Sequence, residues 1–291
     1  MYDRLLFPTD GSDGAAGAFD HVLDVAAHHG ATVYVLNVAD TTRDSVTRIG
    51  DEVVDTLETE GERVVAEAAE RARARGVETV TDVVQGDPSR TIVDYADDRG
   101  VDLVVMPTHG RRGLPRLLLG STTERVVRRA TVPVLTVRPD EDLPEYPYRT
   151  VAVPTDGSEC ARAALGVGVD VAHATGAALH LLSVVDVTNL GVDVRTDVQS
   201  SALEERAHSV VEEAARYATD AGVGQVETAV EFGSSVGGTI RSYVEGHGID
   251  LVVVGTHGRT GFERYVLGSV AAKLVRSSPV PVVRVRDTQE A

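Results

Sequence analysis

Between Asp250 and Val270 the chain reads DLVVVGTHGRTGFERYVLGSV. Four apolar residues, Leu251 to Val254, suit a strand buried on both faces. A loop with Gly255, Gly258 and Gly261 follows, and at Gly268-Ser269 a helical pattern begins. Strand, glycine-rich loop and helix start, in that order, make an anion site. Glycines let the backbone come close to a ligand, and the free N–H groups of the first helical turn point at it. Arg259 and Arg264 sit in the loop, within reach of phosphate oxygens. The chemistry expected of this stretch is the holding of a nucleotide's phosphates.

Other candidate residues divide between this chemistry and plainer roles. Asp10 and Asp156 suit either a ligand or a cap on the next helix. Gly110 and Gly258 suit turn geometry, but two glycines followed by Gly-Ser at a helix start favour phosphate. His109 and His257 have no second His, Asp or Glu at ligand spacing, so no metal site is expected and a ligand-edge role fits better. The only cysteine, Cys160, has no partner to make it reactive, and it excludes both an internal disulfide and a cysteine-based zinc site. The phosphate loop offers Glu263 as its one acid, with nothing to position it as a base, and no GxxxxGK[ST] motif occurs. No catalytic residue is assigned. Between Arg111 and Arg129 stand six arginines against one acid, Glu124. Of these, loop members such as Arg111, and Arg259 in the second stretch, are expected at phosphate, the rest at helix ends or on a solvated face.

The whole chain has 291 residues, a formal net charge of −17, and a single lysine, Lys273, among 28 basic residues. An acid-rich, lysine-poor surface suits a high-salt, halophilic cytoplasm, where screening removes self-repulsion. It repels nucleic acid and anionic membranes alike. No apolar run approaches the roughly 20 residues that span a bilayer, and the N-terminal stretch does not look like a signal peptide. A cytoplasmic location is expected.

The elements that must position the anion loop occur twice. Leu5-Leu6-Phe7-Pro8-Thr9-Asp10-Gly11-Ser12 returns as Val151-Ala152-Val153-Pro154-Thr155-Asp156-Gly157-Ser158, and Leu103 to Gly110 returns as Leu251 to Gly258. Gly120-Ser121 returns as Gly268-Ser269, and Val132-Pro133-Val134 as Val280-Pro281-Val282. Two copies of one domain follow, over 1–138 and 150–291, joined by a stiff acidic linker over 139–149. Each copy alternates strands and helices. In the first, strands are expected at Arg4–Pro8, Thr32–Val38, Val77–Val84, Leu103–Met106 and Val134–Val137. Helices begin near Ser12, at Asp51, at Pro88 and at Ser121, the last supported by capping-box spacing in Ser121-Thr122-Thr123-Glu124. The excursions 40–50 and 186–199 are polar. Such alternation implies an α/β fold: two tandem Rossmann-like, doubly wound domains, each a five-stranded parallel sheet flanked by helices. Ligands of such sheets sit beyond the carboxyl ends of the strands, where strand order reverses. A reversal between the first and fourth strands makes Pro154-Thr155-Asp156 a neighbour of Gly255.

With these residues in view, the chain resembles the ATP-binding branch of the universal stress proteins. The spacing Gly255-x2-Gly258-x9-Gly268-Ser269, the Pro-Thr-Asp strand end and the Val-Pro-Val strand carry the resemblance, which covers both copies almost end to end. It implies that Pro154, Thr155 and Asp156 line the adenosine end, that the backbone of Val184 contacts adenine, and that Gly255, Gly258, Gly268, Ser269 and Val270 surround ribose and phosphates, with His257 and Arg259 at the ligand edge. The matching positions of the first copy are Pro8, Thr9, Asp10, Val38, Gly110, Arg111, Gly120, Ser121 and Thr122. Pro107 stands there in place of the first motif glycine, which puts binding by that copy in doubt. The resemblance further implies ATP (or AMP or ADP) with Mg²⁺ on the phosphates, a non-enzymatic stress or energy-state responder, and pairing of the two copies through their Val-Pro-Val strands as an intrachain pseudo-dimer, with a further homodimer open. A slow ATP hydrolase and a ligand-free scaffold are the alternatives.

Overall fold

The structure is a computed structural model and describes residues 2–41, 51–108, 119–139, 143–188, 195–256 and 267–287, without the side chains of 51–56 and 195–200. The chain divides into two compact units, Met1–Pro147 and Tyr148–Ala291. The first runs β1 (Arg4–Pro8), α1 (Asp13–His29), β2 (Thr32–Asp40), α2 (Asp51–Ala74), β3 (Thr79–Gly86), α3 (Pro88–Arg99), β4 (Leu103–Pro107), α4 (Ser121–Arg129) and β5 (Val134–Val137). The second repeats this as β6 (Thr150–Pro154), α5 (Glu159–Thr175), β7 (Ala178–Asp186), α6 (Arg195–Asp220), β8 (Val226–Gly233), α7 (Val236–His247), β9 (Leu251–Gly255), α8 (Ser269–Ser277) and β10 (Val282–Val285).

In the first unit the strands lie in the order β3-β2-β1-β4-β5, every neighbouring pair parallel. The second unit has the order β8-β7-β6-β9-β10, again parallel throughout. Right-handed crossovers then put α1 and α2 on one face of the sheet and α3 and α4 on the other, because the chain reverses its direction of travel after β3. Covering both faces explains why the central strands are apolar without alternation. Leu5, Leu6 and Phe7 of β1 are fully buried, as is the whole of β9. Phe7 stacks on Phe19 of α1 with ring centroids 4.9 Å apart, which fixes that helix over β1.

The strand-to-helix turn at the end of β1 has a specific local chemistry. Asp10 accepts a hydrogen bond from the Ser12 amide at 3.0 Å, and Ser12 in turn is the N-cap of α1, accepting from the Ala15 amide. Asp156, Ser158 and Ala161 repeat it. Asp10 and Asp156 therefore shape the turn, and the serines two residues on do the capping. Gly11 between them takes φ 73, and Val64 of α2 packs so closely over it that a Cβ would meet the valine methyl at 2.6 Å. Only glycine satisfies both conditions.

Two local expectations change. Gly120, not a serine, is the N-cap of α4, so Ser121 is the first helical residue and no capping box forms. Glu124 instead pairs with Arg128 one turn on, at 2.9 Å. The prolines of the Val-Pro-Val motifs precede β5 and β10 rather than lying in them. Their carbonyls accept from the Val104 and Val252 amides, each at 3.1 Å. The missing proline N–H thus falls before the ladder begins.

Candidate functional site

The reversal of strand order lies between β1 and β4 in the first unit and between β6 and β9 in the second. In the first unit a cleft of about 390 Å³ opens there. Pro8, Thr9 and Asp10 supply its floor from β1, and Leu36 to Asp40 supply one wall from β2. Met106 and Pro107 come from β4, and Gly120, Ser121, Thr122 and Thr123 from the start of α4. Of the positions expected in this copy, Pro8, Thr9, Asp10, Val38, Gly120, Ser121 and Thr122 all line that one cleft. Gly110 and Arg111 lie outside the described residues, as do His257, Gly258 and Arg259 of the second copy. There, Pro154 ends β6 and Thr155 and Asp156 follow it, Val184 lies in β7, Gly255 ends β9, Gly268 caps α8, and Ser269 and Val270 open it. These positions stand at the same strand ends and helix start as their counterparts.

The beginnings of α4 and α8 differ from those of α1, α3 and α5. In the latter three a Ser or Asp side chain accepts a first-turn amide. At α4 and α8 the N-cap is glycine and no side chain caps the amides. Gly120 donates its own N–H to Thr108 at 2.8 Å, and Gly268 does the same to Thr256. The caps are thus pinned to the strand ends while the first-turn amides are left for another acceptor.

Gly255 has a packing role in addition to the one its spacing suggests. A Cβ built there would stand 2.5 Å from the carbonyl oxygen of Cys160 and 3.1 Å from the Ala161 nitrogen. Its missing side chain makes room for the start of α5, on the opposite face of the sheet from α8. Pro107 stands at the matching strand end, the last residue of β4. It forms part of the cleft wall, and its carbonyl accepts a hydrogen bond from the Thr123 hydroxyl at 2.9 Å.

Among the lining residues that were not expected, three lie together. Asn37 of β2 donates from Nδ2 to the Thr9 carbonyl at 2.8 Å, tying the ends of β1 and β2 together. Gly61 of α2 faces it, where a Cβ would come within 2.6 Å of Asn37 Oδ1. Glu60 sits beside it and is held by Arg63 of the same helix at 2.9 Å. The second copy has Ser183 and Ala207 at the positions of Asn37 and Gly61, a smaller side chain against a larger one. Electrostatically, the described lining carries three carboxylates, Asp10, Asp40 and Glu60, and no basic side chain. Two arginines of α4 are directed elsewhere: Arg125 lies 3.7 Å from Asp87, and Arg128 pairs with Glu124. No cluster of three His, Cys, Asp or Glu suited to a metal ion occurs among the described residues.

Comparison with known proteins accounts for the repeated plan. The sequence profile of the universal stress protein family matches residues 1–138 and again 147–286. The chain belongs to the universal stress protein family. Like it, the universal stress protein Mb2028c of Mycobacterium bovis is 31% identical over 242 residues, covering 79% of this chain and 78% of the relative. The universal stress protein MJ0531 of Methanocaldococcus jannaschii is 34% identical over 145 residues, 47% of this chain and 83% of that one. The crystal structure of a universal stress protein from Archaeoglobus fulgidus superposes with a TM-score of 0.75 over 98% of both chains at 23% identity, a likeness of fold. No helix among the described residues of this universal stress protein is long and apolar enough to cross a membrane.

Proposed function

We propose that this tandem universal stress protein binds an adenine nucleotide, ATP in the first instance, in the cleft at the strand reversal, and acts as a responder to nucleotide rather than as a turnover enzyme. The observation that carries this reading is the convergence on one cleft of the Pro8-Thr9-Asp10 turn, the end of β2 and the glycine-capped start of α4. A cleft of about 390 Å³ lies within the range of roughly 300–1,000 Å³ typical of small-molecule sites. Uncapped amides at one end suit phosphate oxygens, and the mostly apolar wall of Leu36, Val38, Ile92 and Met106 suits a base. Because the described lining is acidic, a divalent cation on the phosphates, Mg²⁺ for ATP, supplies the countercharge the side chains lack. Asp10, already accepting from the Ser12 amide, faces the ribose end as an acceptor.

The second unit presents the same strand ends and an uncapped α8, and it keeps the glycine spacing intact, so it takes nucleotide in the same manner. The test is mass spectrometry of nucleotide released from purified protein, followed by calorimetry with ATP and Mg²⁺ on the wild type, Gly110→Val and Gly258→Val. Loss of part of the stoichiometry in each variant is expected. A protein that emerges empty and gives no heat with ATP–Mg²⁺ fits a scaffold instead, and sustained phosphate release over many turnovers fits a hydrolase.

A further inference from the structure

Helix α1 carries three histidines, His21, His28 and His29, and all three ring systems meet one tyrosine from the far end of the unit. Tyr146 stands edge-on to His21, His28 and His29, with centroids 6.3, 5.3 and 5.8 Å away. Its hydroxyl hydrogen-bonds His29 Nε2. Tyr2 closes the other side, edge-on to His29 at 5.4 Å. Upstream in the same segment, Pro139 passes beside Gly17 of α1. Residues 143–147 are the last of the first unit, immediately before the second begins at Tyr148. Helix α5 has the same length and caps as α1, yet Val167, Ala174 and Thr175 stand where α1 has its histidines. The three histidines that meet Tyr146 thus have no counterparts at the matching positions of the second copy.

We propose that Tyr146 and the three histidines of α1 form an acid-released latch on the segment leading out of the first unit, docked at neutral pH and freed below about pH 6. Imidazole is compatible with this crowded, half-buried setting only while neutral. His21 is buried, and that burial pushes it down from 6.5 to about 4, against a smaller opposing pull from Asp24. Burial lowers His29 as well, with the neighbouring His28 and the amino terminus acting in the same direction. The other groups facing the cluster do not rescue the charged form. Asp24 is committed to Arg75 of α2 at 2.6 Å, and Tyr2 and Tyr146 are neutral, the phenol of Tyr146 held well above its usual range by burial. Glu145 beside Tyr146 is exposed. The sign follows: rings whose pKa is depressed when docked stabilise docking above the ordinary value of 6.5, and that stabilisation is lost as pH falls below it. If release returns His21 to its ordinary value, docking weakens about tenfold at pH 5.5.

The experiment is limited proteolysis of the full chain after Glu145 with glutamyl endopeptidase at pH 7.5 and 5.5. Each rate is divided by that of a free peptide spanning residues 139–149, so that the protease's own pH dependence cancels. Wild type is expected to lose about tenfold of its protection at pH 5.5 with its circular dichroism unchanged. Tyr146→Ala should be unprotected at both values. His21→Val, which installs the second copy's residue, should keep its protection at pH 5.5, and His21→Gln replaces it if the valine variant does not fold. Protection that does not respond to pH, a Tyr146→Ala protein as resistant as wild type, a His21 variant with the full drop, or loss of the helical signal in step with cleavage would each overturn the latch.

Discussion

Gly255 and Cys160 lie in backbone contact, the strand end of β9 pressed against the first turn of α5 so that a Cβ on Gly255 would reach within 2.5 Å of the Cys160 oxygen. The atoms in the way are main chain, which cannot swing aside as a side-chain tip can. Gly255→Ala is therefore expected to destabilise the second unit by about 1–3 kcal/mol in the absence of any nucleotide. Urea unfolding followed by circular dichroism measures this. An unchanged midpoint combined with lost nucleotide binding would return Gly255 to the phosphate role its spacing suggests.

Gly61 and Asn37 give the matching experiment in the first cleft. A Cβ at 61 would meet Asn37 Oδ1 at 2.6 Å and a Val83 methyl at 2.9 Å. Gly61→Ala pushes Asn37 off the Thr9 carbonyl, and the strand ends that floor the cleft lose their tie. Against the gain in helix propensity of about 1 kcal/mol, overpacking and the lost hydrogen bond leave a net loss on the order of 1–2 kcal/mol. The double variant Asn37→Ser with Gly61→Ala installs the second copy's pair, and it should recover most of that loss. Thermal unfolding of the two variants beside wild type distinguishes them: equal midpoints for single and double would show that the pair is uncoupled.

How much of this was legible in the sequence depends on whether the signal is local. The continuous apolar runs at Leu5–Phe7 and Leu251–Val254, bounded by helical periodicity, fix a covered parallel sheet, and the repeated Thr-Asp-Gly-Ser fixes where the chain turns. Strand order did not follow from that alternation, which only allowed a reversal between the first and fourth strands; the structure has it there. The packing of Gly255 was not legible either, because its constraint comes from a helix nearly a hundred residues earlier and glycine spacing looks the same with or without a backbone in the gap. Asn37 and Gly61 escaped for the same reason, since neither lies in a motif and their meaning is each other. The cap of α4 was misplaced by one residue because Ser121 and Glu124 have the right spacing but Gly120 is the residue pinned to Thr108. Tyr146 stands 117 residues from His29 and reads as an ordinary linker tyrosine until the two are brought together.

Gly120 allows binding and folding to be separated. It is the N-cap of α4 at φ −60, a conformation open to any residue, and no side chain serves the amides beyond it. Gly120→Asp supplies a carboxylate to those amides. Aspartate is better than glycine at an N-cap by only a few tenths of a kcal/mol, so stability should hold or rise slightly. The same carboxylate occupies the place proposed for phosphate and repels it. Calorimetry should therefore show nucleotide binding by the first unit lost in a protein whose unfolding midpoint is not lowered. Retained binding with full stoichiometry would remove α4 from the phosphate site.

Asp87 and Ser235 occupy the same N-cap position, at the starts of α3 and α7, and behave differently. Asp87 accepts from the Arg90 amide and from the Ser89 hydroxyl, with Arg125 of α4 nearby. The Ser89 hydroxyl, then the Arg90 amide, hold its carboxyl below the ordinary 3.8, with Arg125 adding to them. Ser235 makes no side-chain cap, and its hydroxyl accepts from Lys273 of α8 at 2.8 Å, the lysine standing where the first unit has Arg125. Asp87→Ala should cost about 0.5–2 kcal/mol at neutral pH. Because the folded pKa is depressed, this contribution is complete above 3.8 and fades as pH falls through the folded value, so variant and wild type should converge in acid. Ser235→Asp recreates the arrangement in the second unit, with Lys273 supplying the cation, and should stabilise it by about 0.5–1 kcal/mol at neutral pH. Urea midpoints for both variants at neutral and acid pH measure the two effects, and a Ser235→Asp protein no more stable than wild type would mean that Lys273 already does for α7 what the carboxylate does for α3.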